Sequence, residues 1–555
     1  MKTFGVSFRP HDDEAVAILS GSDTCRIGAH QIIGNVRLDD RASLEARIGS
    51  LPPRSSDLEI CLRAYIAWGD ACVNFIQGDF SFVIWDETRR RVLGVRDHLG
   101  VRAFHYALVR GTLYISDSID WILSQEAVPR DLDDVWIGDF LMVGFGLDFE
   151  RSVRRHVSRL APAHILDFSS KGLTTRRYWR LEIGDPVRFG KRADYVDRFR
   201  ELLHQAVRDR LPAGRVGIAM SGGLDSTTLA AATVDVTNEP SRIVTECIHY
   251  SDSLQDEEGH FSRLVADKLN VELSLREASD SVYDPLWRAR GINTAEPTPT
   301  IVQAYPNMVF AQRNRELASV WFFGEGPDDA LPFDRDPYLS WLISRRDWKG
   351  YGLALADYAR VKGIAGWRKT FLRAQRPGRK PGVDADNIPA WISPEFEREM
   401  RLSERLADLG RSRPAPHWKP SAIRAFSDPI WPALFDTLRV GEMAGGPEWR
   451  HPFLDLRLLQ YLISLPTIPW AWRKDILRQA MRDKLPSEVL SRDKTPLVDQ
   501  PLRAPLMKHG FPPLSGAPAF ERYVQLEALP RHYSPTDHLD RVIFAHALDY
   551  WLSCD

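Results

Sequence analysis

The chain has 555 residues, of which 44% are hydrophobic and 27% are charged, and its formal net charge is −2 at pH 7. This length and composition predict a globular protein of about two to four domains. The near-neutral net charge predicts no general electrostatic attraction to nucleic acid or to a membrane. No apolar run is long enough for a membrane span. Five cysteines without paired spacing favour a reducing compartment. The N-terminus is not typical of a signal peptide, so we expect a cytoplasmic location.

The first part of the chain, residues 1–183, is rich in strand patterns. Phe80–Trp85 and Arg91–Val95 combine aromatic and β-branched residues and are separated by turn residues. A helical stripe over Asp57–Trp68 interrupts them. This mixture predicts an α+β layered sandwich.

The polar, Gly- and Pro-containing stretch 184–194 predicts a linker, followed by a second domain over residues 195–555. Helical patterns such as Glu258–Leu269 alternate there with strand patterns such as Ile243–Cys247 and Val320–Phe323. The alternation predicts an α/β doubly wound domain with a mostly parallel sheet. Such a sheet binds ligands at the carboxyl ends of its strands.

The clearest motif follows the first strand of this second domain, where a short apolar run stops at Ser-Gly-Gly and a helix-compatible sequence begins. Glycines let successive N–H groups point at one anion, and a helix N-terminus adds donors and partial positive charge. The motif is neither a Walker A loop nor a dinucleotide fingerprint; a capped turn before a helix is the structural alternative. We predict that these residues bind nucleotide phosphates: Ser221, Gly222, Gly223, Leu224, Asp225 and Ser226.

A second motif, Phe-Gly-Glu-Gly-Pro-Asp at 323–328, follows a later strand. Its glycines allow a close approach of backbone to a ligand. Asp225 and Asp328 could hold one Mg²⁺ between phosphates, because magnesium takes few carboxylates together with phosphate oxygens. An acidic turn that caps the next element is the alternative.

Three further strings follow: Arg-His-Pro-Phe-Leu-Asp at 450–455, Arg-Lys-Asp at 473–475 and Arg-Asp-Lys-Thr-Pro at 492–496. A lone lysine is usually a solvated surface charge, but these strings and the two loops occur together in order across 216–497. As a set they resemble the asparagine synthetase superfamily. Gly78-Asp79-Phe80 and Arg96–Val101 likewise resemble its glutamine amidotransferase domain.

The resemblance implies an AMP-forming carbon–nitrogen ligase that uses ATP and Mg²⁺. Phe323 and Gly324 would lie near the nucleoside. Lys494 would stabilise developing negative charge, a preorganised electrostatic role. Lys474 would help to hold phosphate, and Glu325 could orient an amine or accept its proton.

One departure from this pattern bears on the nitrogen donor. Glutamine-hydrolysing members expose a cysteine at the mature N-terminus, whose thiolate is the nucleophile. This chain begins Met1-Lys2-Thr3, and its first cysteine is Cys25. We therefore expect residues 1–183 to form a degenerate amidotransferase-like domain without glutaminase activity, and the acceptor to be an amine of the substrate itself.

Within the superfamily, β-lactam synthetases and lasso peptide cyclases use such an amine. FFGEGPDDAL, with Glu325, and RHPFLDLRLLQYLISLP look most like lasso cyclases. That likeness implies a precursor peptide as substrate, and a leader-binding protein and a cysteine protease as partners. A β-lactam synthetase-like or other small-molecule amide-forming enzyme, an asparagine synthetase that uses free ammonia, and a catalytically silent scaffold remain the alternatives.

Overall fold

The computed structural model describes residues 3–9, 24–49, 51–52, 54–250, 256–278, 282–373, 388–411, 417–492, 500–530 and 539–554. Of the residues singled out above, Met1, Lys2 and residues 493–496, which include Lys494, lie outside this part of the chain.

The N-terminal part is built on two antiparallel sheets. Its strands are β1 (Gly5–Phe8), β2 (Thr24–Ile27), β3 (His30–Leu38), β4 (Gly78–Asp86), β5 (Arg91–Arg96), β6 (His105–Val109), β7 (Thr112–Ser116), β8 (Ser158–Arg159), β9 (His164–Ser169) and β10 (Gly172–Arg177). One sheet has the order β1-β7-β6-β8 and the other β10-β9-β5-β4-β3-β2. Side chains from facing strands, including Val6, Phe8, Val83 and Val92, form one apolar core between the sheets.

Helices cover the outer face of the six-stranded sheet. They are α1 (Arg41–Ile48) and α2 (Asp57–Trp68), while α3 (Ile119–Leu123) and α4 (Asp134–Val143) follow the hairpin of β6 and β7. Leu58 and Cys61 of α2 pack on Phe80 and Phe82 of β4. The helix predicted over Asp57–Trp68 is confirmed with these bounds. The strand predicted over Phe80–Trp85 is longer by three residues, and the strand predicted over Arg91–Val95 is longer by one.

The second part is built on a five-stranded parallel sheet. The strands are β11 (Val216–Ala219), β12 (Ile243–His249), β13 (Glu272–Glu277), β14 (Val320–Phe322) and β15 (Glu448–Arg450), in the order β13-β12-β11-β14-β15. Every neighbouring pair is parallel. The carboxyl ends of all five strands therefore meet at one edge, as the alternation of helix and strand patterns predicts.

Helices lie on both faces of this sheet. On one face α5 (Arg192–Arg210), α6 (Leu224–Thr237), α7 (Glu258–Leu269), α16 (Leu456–Ser464) and α17 (Asp475–Ala480) share a core with β11. On the other face α8 (Ala304–Leu317) lies over Val244 and Trp321. The mixed α/β class is confirmed. The boundary expected at 184–194 stays a prediction, although α5 already begins at Arg192.

The remaining helices build the outer wall of the second part. They are α9 (Pro327–Ala330), α10 (Arg335–Ser344), α11 (Trp348–Arg373), α12 (Pro394–Met400), α13 (Leu402–Arg411), α14 (Pro420–Ala425), α15 (Ile430–Met443), α18 (Ser487–Ser491), α19 (Arg503–His509) and α20 (Leu539–Cys554). α20 shares a core with α4, so the last helix of the second part packs on the N-terminal part. Within the described ranges, no helix has both the length and the apolar character that crossing a membrane requires.

A buried charge network joins the two parts of the chain at the end of α5. The Arg210 guanidinium lies 2.7 Å from Asp39, which follows β3, and 2.9 Å from Asp455, which caps α16. All three side chains are at least 96% buried. Burial by itself raises the pKa of the Asp455 carboxyl, but Arg210 and Arg457 outweigh it and lower the pKa to about 2. Asp455 is therefore charged at neutral pH, whereas burial raises the pKa of Asp39 above its usual value despite Arg210 and Arg37. The network fixes how the parts meet.

We expect Arg210→Met to lower the free energy of unfolding by about 3–5 kcal/mol, because it leaves two buried carboxylates without their shared partner. Urea denaturation followed by circular dichroism measures the change. Arg208→Met, at an exposed position of the same helix, is the matched control and should stay within about 0.5 kcal/mol of the parent protein. Equal midpoints for the two variants would show that the network contributes nothing.

Candidate active site

A cavity of about 760 Å³ opens at the carboxyl edge of the parallel sheet. The loop after β11, the loop after β14 and the segment before α17 all contribute to its lining. The predicted site residues that line it are Ser221, Gly223, Leu224, Asp225, Ser226, Phe323, Gly324, Glu325, Asp328 and Lys474. Strand order thus brings together motifs that are about 250 residues apart in the sequence.

The loop after β11 has the form expected of an anion-binding turn. α6 begins at Leu224, so Gly223 caps the helix and the first N–H groups of α6 point toward the cavity. The Ser226 hydroxyl accepts a hydrogen bond from the Ser221 amide at 3.1 Å, which closes the loop on itself. The turn therefore presents donors and a helix N-terminus to one place.

Among the predicted site residues that the structure describes, Gly222 does not line the cavity. Its φ is +63°, and a Cβ there would lie 2.8 Å from the carbonyl oxygen of Glu258 at the start of α7. Glycine is needed at this position for the left-handed turn and for close packing on α7. The two adjacent glycines of the loop have different tasks, which their sequence alone does not distinguish.

The loop after β14 packs directly on the first. A Cβ on Gly324 would lie 3.2 Å from the Cα atom of Ser226, so the two loops are close enough to favour glycine. The preceding Phe323 donates its amide to the carbonyl of Arg450 and packs edge-to-face against Trp449. Phe323 thereby forms part of a rigid aromatic wall of the cavity.

Lys474 links the two loops electrostatically. Its ammonium group contacts Oδ2 of Asp225 and lies 2.7 Å from Oδ1 of Asp328. Both Arg473 and Lys474 have left-handed backbone conformations, with φ of 49° and 55°. Such a conformation costs about 1–3 kcal/mol for a residue other than glycine and is typical of functional sites. Here it turns the Lys474 side chain toward both aspartates.

Three guanidinium groups complete the charged side of the cavity: Arg473, Arg478 and Arg492. Arg492 lies 3.3 Å from the Glu258 carboxylate and stacks on Phe261 at 4.2 Å. The sequence predicts roles for the neighbouring Lys474 and Lys494. It predicts none for the three arginines, because a lone arginine has no diagnostic spacing. Together with Lys474 they make this side suitable for a polyphosphate.

The sequence does not identify two further cavity residues, Glu246 on β12 and Asn314 on α8. No local motif marks either of them, since one is a single carboxylate in a strand pattern and the other a single amide in a helix. Only the crossing of α8 over the sheet brings them together.

The carboxylates of Asp225 and Asp328 fit the predicted magnesium site. Both already converge on one cation, the Lys474 ammonium, so they are close enough to share another. Two carboxylates with phosphate oxygens and water suit magnesium. Among the described residues, a three-carboxylate cluster occurs elsewhere, at Asp39, Asp209 and Asp455, but it is paired with arginines.

Comparison with known proteins adds two family matches. Residues 41–179 match a glutamine amidotransferase domain, and residues 198–515, more than half of the chain, match asparagine synthase. The first match covers the two antiparallel sheets from α1 onward, and the second contains the parallel sheet and every cavity loop described above.

Curated relatives agree with these matches. Asparagine synthetase [glutamine-hydrolyzing] 3 of Bacillus subtilis is 23% identical over 478 residues, which cover 82% of this chain and 73% of the relative. Amidase chry2 of Gibberella zeae is 26% identical over 499 residues, which cover 79% and 72%. Among solved structures, the B. subtilis glutamine phosphoribosylpyrophosphate amidotransferase with ADP and GMP has 13% identity over 48% of this chain and 66% of that one. Its TM-score of 0.21 is too low to carry an argument.

We expect Lys474→Met to lower ATP–pyrophosphate exchange by about a hundredfold or more, the effect of removing one preorganised charge from such a site. The loss also leaves Asp225 and Asp328 facing each other without the ammonium between them. Lys484→Met is the matched control, because Lys484 pairs with Asp235 and does not line the cavity. Near-normal exchange in the Lys474 variant would remove Lys474 from the phosphate site.

Proposed function

Since the chain belongs to the asparagine synthase family, we propose that it is an ATP-dependent lasso peptide cyclase. As a family member it is an ATP-dependent carbon–nitrogen ligase. The proposed substrate is a precursor peptide, in which the enzyme joins an Asp or Glu side-chain carboxylate to the N-terminal amine. The observation that carries the proposal is the convergence of the loop at Ser221–Ser226, Lys474 and Asp328 on one cavity.

The first step activates the carboxylate. ATP lies with its phosphates on the loop after β11, where N–H groups and the nearby guanidinium groups meet. A carboxylate oxygen of the peptide attacks the α-phosphorus, the bond to the bridging oxygen breaks, and pyrophosphate leaves. Lys474 holds the phosphates, and Arg473 and Arg478 are close enough in the cavity lining to receive the departing charge.

The second step forms the amide. The peptide amine attacks the acyl carbon, AMP leaves with the electrons of the acyl–oxygen bond, and the amine loses a proton. Glu325 lines the cavity beside the phosphate loop and is proposed to orient that amine or to accept its proton. Lys494, which lies outside the described residues, keeps its proposed role of stabilising the developing negative charge.

Asp225 and Asp328 would hold Mg²⁺ against the phosphates. The ion would neutralise part of the phosphate charge when bound. The residues of this chain then position the nucleotide and exclude water: the aromatic wall at Phe323 and Trp449 closes one side of the cavity. A volume of about 760 Å³ lies in the upper part of the range for small-molecule sites, so a nucleotide leaves room for an acyl group.

The cysteines at positions 25, 61 and 72 are poorly suited to replace a glutaminase nucleophile. Burial raises the pKa of Cys25 and of Cys61, and it raises the pKa of Cys72 to about 12. These thiols therefore stay protonated at neutral pH and are poor nucleophiles.

The backbone amide of Phe4, just before β1, donates a hydrogen bond to the buried Asp117, which also pairs with Arg439 of α15. This end of β1 thus contributes to contact with the second part.

Two other functions remain candidates within the family. A β-lactam synthetase-like enzyme would activate a small molecule in the same cavity. An asparagine synthetase that uses free ammonia is the other candidate, and two relatives from Bacillus subtilis are asparagine synthetases, both described as glutamine-hydrolysing. The protein partners, a leader-binding protein and a cysteine protease, and the cytoplasmic location stay predictions.

We expect the protein, with ATP, Mg²⁺ and a leader-processed precursor peptide encoded beside its gene, to yield a peptide that has lost one water, together with AMP and pyrophosphate. Mass spectrometry and nucleotide chromatography measure the products. The Asp225→Asn variant should lower the yield about a hundredfold or more.

The same assay separates the alternatives. Aspartate with ammonium in place of the peptide gives asparagine if the enzyme is an asparagine synthetase. ADP as the nucleotide product would contradict adenylation, and an unchanged peptide with AMP formed from a small carboxylate would favour the β-lactam synthetase-like alternative.

A further inference from the structure

Among the described residues that line the active-site cavity, those of one wall carry no charged side chain. This wall is formed by the segment 294–300, by α8 between Ala304 and Ala311, and by α15 between Thr437 and Gly441. The residues that these three segments contribute to the lining are threonine, asparagine, glycine or apolar. We call this surface the neutral wall. The charged lining residues come from other parts of the cavity, chiefly the loops after β11 and β14 and the chain around Lys474.

The neutral wall has the dimensions of a short trough. Four of its α8 positions are three or four residues apart and so share one face of the helix: Ala304, Asn307, Met308 and Ala311. At about 1.5 Å per residue this face is about 10 Å long, the length of about three residues of extended chain. A Cβ on Gly441 would lie 3.6 Å from the Cβ of Ala311, so the two helices close the trough there. Asn307 and Thr437, about one turn away on each helix, are exposed and leave it open.

The polar groups of the neutral wall can hydrogen-bond to a ligand without carrying charge. The Thr437 hydroxyl donates to the Ala433 carbonyl at 2.9 Å, so its oxygen remains an acceptor. The hydroxyl oxygens of Thr298 and Thr300 are 2.9 Å apart. Only one of their two hydroxyl hydrogens is used between them, and the other can be donated to a ligand. The Asn307 amide has both donors and an acceptor. The wall therefore complements groups that resemble peptide N–H and C=O.

The uncharged character of the wall indicates which kind of substrate it accepts. A free amino acid carries an α-ammonium and an α-carboxylate at neutral pH, and moving either group out of water without a counter-charge is costly. In a peptide the same two positions are amides, which need only neutral hydrogen-bond partners. The described residues of the neutral wall offer such partners and no counter-charge. The wall therefore matches a residue inside a peptide and not a free amino acid.

We propose that the neutral wall binds the peptide backbone on either side of the carboxylate to be activated, and that it thereby selects a residue within a peptide over a free amino acid. The proposal rests on the proposed function and names the surface of the same cavity that recognises the acyl substrate. The wall and the phosphate loop border one cavity, so an extended segment on the wall can present a side-chain carboxylate to the bound nucleotide.

The first test measures ATP–pyrophosphate exchange by the full-length protein with Mg²⁺ and one acyl substrate at a time. The substrates are free L-aspartate, free L-glutamate, and the N-acetyl N-methylamide derivative of each, which keeps the side-chain carboxylate but replaces both backbone charges by amides. We expect kcat/KM for the better blocked derivative to exceed that for its free amino acid by about tenfold or more, because a buried polar group left without a partner costs about that factor.

The second test removes single hydrogen bonds from the neutral wall. Thr437→Val and Asn307→Leu keep the side-chain size at exposed positions. Each should raise KM for the blocked derivative about twofold to tenfold, the range for one neutral hydrogen bond, and leave KM for ATP unchanged. Thr237→Val on α6 is the matched control, because its hydroxyl donates to the Thr233 carbonyl at 2.9 Å, as Thr437 does to Ala433, but does not line the cavity. It should keep both parent KM values.

Three results would overturn the proposal: a free amino acid used as well as its blocked derivative, an unchanged acyl-substrate KM in both wall variants, or an equal rise in KM for ATP, which a general structural effect would cause. If neither blocked derivative supports exchange, KM for the leader-processed precursor peptide carries the same comparison of variants. Cyclisation of that peptide with unchanged KM in both variants contradicts this proposal alone. Absence of both cyclisation and exchange in the parent protein contradicts the proposed function itself.

Discussion

The buried ion network around Arg210 is the constraint on which the rest of the structure depends. Charges removed from water are tolerated only when they are paired and hydrogen-bonded. Asp39 comes from the end of a strand in the N-terminal part, and Asp455 from the start of a helix in the second part. One guanidinium must reach both, which allows little variation in how the parts meet. The Arg210 carbonyl also accepts from Arg450 at 2.6 Å, so the network extends to the end of β15.

The contact between the two parts also fixes one wall of the cavity, because helix α15 takes part in both. Three of its side chains, spaced three residues apart, pair with the N-terminal part: Asp436 with Arg159, Arg439 with Asp117, and Glu442 with Arg102. Its other face lines the cavity with Thr437, Leu438, Val440 and Gly441. One helix is thus both interface and cavity wall. An N-terminal part without glutaminase activity would still be needed to hold that wall in place.

The sequence predicts those features that are set by local chemistry. The bounds of Glu258–Leu269 and Asp57–Trp68 agree with the structure because amphipathic periodicity is a local property. The two Gly-containing loops were also found, because strand–glycine–helix order marks the carboxyl edge of a parallel sheet. Positions that depend on long-range crossing were not found. The pairing of Glu246 with Asn314 joins residues 68 positions apart, and the packing of α20 on α4 joins the end of the second part to the N-terminal part.

The Lys474 site combines both kinds of information. Sequence order suggested that Lys474 binds phosphate and that Asp225 and Asp328 bind a cation. The structure shows the lysine between the two aspartates. The ammonium lies against both carboxylates and offsets one of their two negative charges. In the proposed reaction the phosphates would attract the lysine, and a divalent cation would occupy the aspartates. The left-handed backbone at Lys474 turns its side chain toward this shared place.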